Sequence, residues 1–101
     1  MLNIRPVHLT KRFKDELEQI KANYERVSDF TEASTKALRI KPKEAGTFVT
    51  MDDAIEDTEG IYMISMVETM YNPPVIIFYE FDYSNVWLLS IKVSDLEMEP
   101  F

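Results

Sequence analysis

The stretch of sequence that decides the fold is residues 75–93, which read VIIFYEFDYSNVWLLSIKV. Its first part, Val75 to Asp82, is nearly all apolar, and such a run is typical of a strand buried on both faces at the centre of a sheet. Its second part, Val86 to Val93, alternates between two sets of side chains, as a strand does. Because only residues 83–85 join the two parts, we predict an antiparallel pair.

Two further strands are predicted upstream of this pair. Ile61 to Tyr71 is long and rich in β-forming residues, and Asn72-Pro73-Pro74 after it forms a turn, because two prolines cannot lie in a central strand. Residues 61–93 therefore predict a three-stranded antiparallel meander. Thr47 to Met51 adds a short β-branched strand, and the acidic residues 52–60 connect it to the meander as a loop.

The first 46 residues have a helical period instead. An apolar stripe recurs at intervals of three and four residues and predicts a helix of about five turns, with Thr10 as its N-cap. A second helix is predicted to begin at a cap formed by Ser28 or Asp29 and to stop at Pro42, followed by a connector over residues 41–46. The stripe of the first helix consists of Phe13, Leu17, Ile20, Tyr24 and Val27.

These elements predict an α+β fold. An N-terminal strand, Ile4 to His8, lies at an edge because Pro6 lacks an N–H group, and a helical hairpin packs on a curled antiparallel sheet of about four strands. The 101 residues suit one domain, with the strand and helical hairpin in residues 1–46, the meander in 47–95 and a tail in 96–101.

The charge of the chain is unevenly distributed. Residues 1–46 hold ten bases and seven acids, whereas residues 47–101 hold one base, Lys92, and eleven acids. This asymmetry indicates either a binding face or two solvated surfaces that attract each other within the fold. A net charge of −7 makes direct nucleic-acid binding by bulk charge unfavourable.

Composition excludes several kinds of site. The chain has no cysteine, one histidine and two glycines, which excludes disulfides, thiolate metal sites and cysteine nucleophiles and leaves little material for a glycine-rich phosphate loop. His8 is better explained as a surface histidine than as a general base. The acids of residues 52–59 do not have the spacing of a calcium loop. We predict no metal and no cofactor, and, without a signal or membrane segment, a cytoplasmic location.

Three segments of the sequence resemble segments of one protein family. They are Val7 to Leu17, Gly60 to Met66, and Pro74 to Asp82 continuing through Val86 to Lys92. Together with the order β, α, α, β, β, β, β they resemble the RelE/ParE superfamily of small bacterial toxins from toxin–antitoxin pairs. The resemblance implies a cytoplasmic bacterial protein with the two-layer fold of that family.

The resemblance also implies where a ribonuclease site would lie. Members that cut messenger RNA carry arginine, lysine, histidine or tyrosine on the later strands and the tail, and here Lys92, Tyr79 and Tyr83 are the candidates that could be carried over, with Tyr62 and Tyr71 as further tyrosines. Residues 61–66 lack the usual arginine, and the tail after Lys92 is acidic. One ammonium group among eleven carboxylates is a poor clamp for phosphate.

Three functions follow as hypotheses. The first is a toxin-fold protein without the usual ribonuclease site that binds a protein, either an antitoxin-like or basic partner or a second copy of itself, through Tyr62, Met66 and Trp87. The second is an active, metal-independent endoribonuclease that uses Lys92 and tyrosines. A third class is an acidic protein that imitates nucleic acid and inhibits its binding partners. Whether the chain is an enzyme stays uncertain, with the residues favouring a non-enzyme.

Overall fold

A computed structural model describes residues 3–52, 54, 57–65 and 74–93 of the chain. The described chain is an α+β structure in which one strand and two helices precede four further strands, as the sequence order predicted, and a short third helix that was not predicted lies between the second helix and the second strand. The elements are β1 (Val7–Leu9), α1 (Lys11–Lys21), α2 (Val27–Ile40), α3 (Pro42–Ala45), β2 (Thr47–Thr50), β3 (Ile61–Ser65), β4 (Val75–Phe81) and β5 (Val86–Val93).

The sheet has five strands in the order β1-β5-β4-β3-β2 and is mixed, whereas the sequence predicted about four antiparallel strands. β2 to β5 pair antiparallel, and β1 pairs parallel with β5. β1 joins because the outer edge of β5 offers backbone groups that need partners. Val86 N donates to the Pro6 carbonyl at 3.0 Å, and Thr10 N donates to the Leu88 carbonyl at 3.2 Å.

The two main helices differ in length from the prediction. Thr10 caps α1, since its Oγ1 accepts from Phe13 N at 3.2 Å. The apolar stripe continues to Val27, but α1 ends at Lys21, and Asn23 N and Tyr24 N both donate to the Ile20 carbonyl. Residues 22–26 are thus a turn between two helices. The stripe continues across the break because both helices face the same core.

The second helix also begins and ends differently. α2 starts at Val27 without a side-chain cap, so neither Ser28 nor Asp29 acts as the predicted N-cap. Pro42 ends α2 as predicted, but it also opens α3, because proline at the first position of a helix loses no internal hydrogen bond. The predicted connector therefore contains one short helix.

The core lies between the helices and one face of the sheet. β4 is the central strand, as predicted, but its burial alternates over residues 75–79: Val75, Ile77 and Tyr79 are buried, while Ile76 and Phe78 stay partly exposed. Glu80, on the same face as these two, is buried and only 1% exposed. The prediction of burial on both faces is therefore wrong for Ile76 and Phe78, because the described helices pack on only one face. The buried apolar core is Phe13, Val27, Leu38, Tyr62, Val75, Ile77, Tyr79, Phe81, Val86, Leu88 and Ile91.

Candidate functional site

The three residues proposed for ribonuclease chemistry do not meet in the structure. Tyr79 lies inside the core, Tyr83 lies in the turn before β5, and Lys92 lies near the far end of that strand. Eight residues of extended chain span about 26 Å. Tyr83 and Lys92 therefore lie at opposite ends of β5 and cannot act on one reacting group.

Tyr79 is a structural tyrosine in this fold. Its side chain is fully buried, and its hydroxyl donates to the Pro42 carbonyl at 2.5 Å. Burial raises the pKa of the Tyr79 hydroxyl well above its ordinary value, and the neighbouring Tyr62 and Glu44 act in the same direction. A tyrosine can act as a general base only if it reaches the substrate and is already deprotonated near neutral pH, so that it can accept a proton. This hydroxyl is therefore poorly suited to that role.

Lys92 is engaged by a carboxylate of α1. Its Nζ pairs with Glu16 Oε2, while Glu16 Oε1 accepts from Ser90 Oγ at 2.7 Å and from Ile91 N at 3.4 Å. Burial tends to raise the pKa of Glu16, but the hydrogen bonds from Lys92 and Ser90 together with the Lys92 charge outweigh it and lower the pKa. We call Glu16, Ser90, Ile91 and Lys92 the β5 clamp.

The β5 clamp has a clear structural reason. β1 pairs only with Val86, Trp87 and Leu88, so, among the described residues, the later part of β5 has no strand on its outer side. Helix α1 packs beside β5, and the Glu16 carboxylate accepts there from the Ile91 backbone N–H, which a neighbouring strand would otherwise satisfy, and from the Ser90 hydroxyl. The only base in the acidic half of the sequence thus stabilises a sheet edge.

The residues proposed for protein binding have different positions. Tyr62 is only 7% exposed and lies in an aromatic group, with ring centroids 5.6 Å from Phe48, 5.9 Å from Tyr79 and 5.1 Å from Phe81. Met66 lies outside the described residues. Trp87 is partly exposed on the face of the sheet that points away from the helices. Of the three, Trp87 is the one that the structure places on a described surface.

Trp87 belongs to a row of side chains that crosses the sheet. In register it faces His8 on one side and Glu80 on the other. The His8 and Trp87 rings stack at 6.0 Å with 29° between their planes, and His8 Nε2 is 2.8 Å from Asn85 Oδ1. Stacking and this hydrogen bond restrain the exposed histidine and fix the position of the indole beside it. His8 is therefore a supporting surface residue in this arrangement.

Sequence reasoning missed the apolar residues around Trp87. Strand register places Met63 opposite Phe78 on the same face, one row further along the sheet, and Ile76 lies two residues from Phe78 on β4. All of these side chains are partly exposed. The signal was the unbroken apolar run of β4, which indicates a second covered face or a surface that is covered by a partner. We call Met63, Ile76, Phe78 and Trp87 the open face.

The acidic loop after β2 is described only in part. Asp52, Asp57 and Glu59 are exposed, whereas Asp53 and Glu56 lie outside the described residues. Asp57 has a positive φ of 72°, which suits a turn residue of this type. In the described part of the chain, no three histidine, aspartate or glutamate side chains converge as a metal site would require.

Among the described residues, the model has no helix with the length and apolar character needed to cross a bilayer. No family model, no curated protein and no solved structure matches the chain.

Proposed function

We propose that this chain is a RelE/ParE-like toxin-fold protein that works by binding another protein and lacks the ribonuclease site of that family. The order of one strand, a helical pair and four strands agrees with the family resemblance of the sequence. The observation that carries the functional part is the open face. It presents four partly exposed apolar side chains on three neighbouring strands, including the only tryptophan of the chain.

The chemistry of the partner follows from charge. The second half of the sequence holds eleven acids and one base, and that base is engaged in the β5 clamp. A basic partner is therefore favoured, because complementary charge accelerates association and disfavours acidic competitors. An amphipathic helix with apolar residues along one side and lysines or arginines at its margins fits a sheet face of this kind.

Binding would depend chiefly on Trp87 and Phe78. Aromatic side chains at the centre of an interface usually account for most of the binding free energy, and truncation of one costs about 2 kcal/mol or more. The basic margins of the partner would add an attraction that salt weakens, because exposed charges are screened at physiological ionic strength. We therefore expect affinity to depend on both the aromatic residues and the salt concentration.

The first experiment uses the single tryptophan as a reporter. A synthetic helix of about 20 leucine and lysine residues is titrated into the protein while Trp87 fluorescence is followed. A second peptide with the same composition but scrambled order is the control for charge alone. We expect saturable binding of the amphipathic peptide only, with affinity that falls as salt is added. An affinity that does not change with salt concentration would contradict the proposal that charge selects a basic partner.

Variants then test the surface itself. Phe78→Ala should weaken binding about thirtyfold, which corresponds to ~2 kcal/mol, whereas Phe48→Ala should leave it unchanged. Phe48 is the matched control because it is a 49% exposed aromatic residue that contacts Tyr62 on the helix side of the sheet. Circular dichroism melts establish that both variants are folded. Equal loss in both variants would contradict an interface on the open face.

The ribonuclease hypothesis is tested separately by induced expression in a bacterial host. Our proposal predicts unchanged growth and message levels for the natural chain, because Tyr79, Tyr83 and Lys92 are not assembled into one site. If expression arrests growth and Lys92→Ala abolishes the arrest while the protein stays folded, the enzyme hypothesis replaces ours.

A further inference from the structure

A groove on the helix side of the molecule is unrelated to the open face. It lies between the end of α2, helix α3 and the turn that leads into β5, and its volume is about 440 Å³. Pockets for small ligands usually have volumes of about 300–1,000 Å³. The groove is therefore large enough for a small organic molecule, and its wall includes Arg5, Lys41, Lys43, Phe81 and Tyr83.

The cations of the groove differ from most others in the chain. Five bases outside it pair with a carboxylate within 4.0 Å: Lys11, Arg12, Lys21, Lys36 and Lys92. Within the described residues, Arg5, Lys41 and Lys43 make no such ion pair, although Glu44 and Glu59 line the same groove. Three unneutralised cations around one concavity create a positive potential that attracts an anion.

Arg5 is held in place for such a role. Its backbone N donates to the Arg39 carbonyl at 2.9 Å, and its Nε donates to the Asp82 carbonyl, also at 2.9 Å. The guanidinium group is thereby fixed while four of its five N–H donors stay available. Arginine with this restraint binds phosphate oxygens better than a freely moving side chain, because less conformational entropy is lost on binding.

The wall of the groove also contains aromatic and apolar side chains beside these cations. Tyr83 is 78% exposed, and Ile40 beside the groove is 39% exposed. Asn3 Nδ2 donates to the Tyr83 carbonyl at 2.6 Å, which restrains the turn that carries the ring. An exposed tyrosine held beside cations can stack a flat ring while the cations hold an anionic group.

We propose that the groove binds a small phosphate monoester that carries a planar ring. The phosphate lies among Arg5, Lys41 and Lys43, and the ring stacks on Tyr83. Glu44 and Glu59 reduce the charge of the wall, so the affinity is modest and the ligand is a single small molecule rather than a nucleic-acid strand. Removal of either carboxylate strengthens binding.

The probe is adenosine monophosphate, with adenosine and inorganic phosphate as its two halves. Each is titrated into the full chain by calorimetry and by NMR. We expect saturable binding of the monophosphate that is at least about tenfold tighter than that of either half, since the two contacts reinforce each other. Absence of saturable binding at millimolar concentration, or equal affinity for inorganic phosphate, would overturn the proposal.

Matched variants locate the site. Lys43→Gln and Tyr83→Ala should each weaken binding by roughly threefold to tenfold, and Glu59→Gln should tighten it by about threefold. Lys14→Gln is the control, because Lys14 is an exposed lysine without an ion pair that lies outside the groove. An equal effect of Lys14→Gln and Lys43→Gln would show attraction by bulk charge and would refute the site.

Discussion

Replacing Glu16 should destabilise the sheet more than its place on an outer helix suggests. Its side chain is 16% exposed and its carboxylate accepts hydrogen bonds from Ser90, Ile91 and Lys92. In Glu16→Ala these three donors lose their acceptor. Ser90 is only 6% exposed, so its hydroxyl has limited access to water as a substitute.

The expected cost follows from these contacts. Leaving a buried donor unsatisfied costs about 1–3 kcal/mol. The ion pair with the half-exposed Lys92 contributes little to stability, because water solvates the ammonium group when the carboxylate is absent. The 3.4 Å contact with Ile91 N is long and adds a few tenths of a kcal/mol at most, in the manner of a weak hydrogen bond. We therefore expect Glu16→Ala to lower the free energy of unfolding by about 2 kcal/mol, which corresponds to a fall in Tm of about 8–16 °C.

Urea denaturation followed by circular dichroism measures this cost. Glu18→Ala is the control, because Glu18 lies on the same helix, is 74% exposed and is 3.5 Å from Lys21. We expect the control to change stability by less than about 0.5 kcal/mol. A loss in Glu16→Ala no larger than in the control would refute the argument that this carboxylate stabilises the edge of β5.

The same carboxylate should make stability depend on pH. The folded pKa of Glu16 is lowered from 4.5, so its contribution is present above that value and is lost as the pH falls through the lower folded pKa. We expect the stability difference between the natural chain and Glu16→Gln to be larger at pH 7 than at about pH 3; a constant difference would contradict this sign. Tyr79→Phe should cost about 1–2 kcal/mol in urea denaturation, because the buried Pro42 carbonyl loses its donor, whereas Tyr83→Phe should cost nothing measurable. Gly46→Ala should cost about 1–3 kcal/mol in the same assay, since a Cβ there would overlap the Tyr79 hydroxyl and a backbone carbonyl, and unchanged stability would contradict that packing.

The sequence predicted the elements whose determinants are local. Thr10 caps α1 because a cap needs only a hydroxyl and the next turn of helix, and the turn of residues 83–85 follows from its length. The α+β class followed from the change of period near Gly46. These features depend on residues within a few positions of one another, so one sequence suffices to predict them.

Features that depend on distant contacts could not be predicted in this way. The parallel place of β1 beside β5 depends on backbone groups some 80 residues away, as in the bond from Val86 N to the Pro6 carbonyl. The break of α1 at Lys21 is hidden because Val27 continues the apolar stripe in the next helix. An apolar stripe reports which side chains reach the core, but it does not report whether the backbone between them is continuous.

The same limit explains why the candidate site changed. From its position in the sequence, Lys92 could be a phosphate ligand. Only the fold shows that Glu16, which lies 76 residues earlier in the chain, is its partner. The charge difference between the two halves therefore has two separate consequences. The one base of the acidic half, Lys92, lies opposite Ile76 of the open face and is paired with Glu16. Arg5, Lys41 and Lys43 of the basic half, in contrast, gather unpaired around the groove. A basic protein segment and a small phosphate ester would thus bind to opposite sides of the sheet, and a variant that weakens one of them should leave the affinity for the other unchanged.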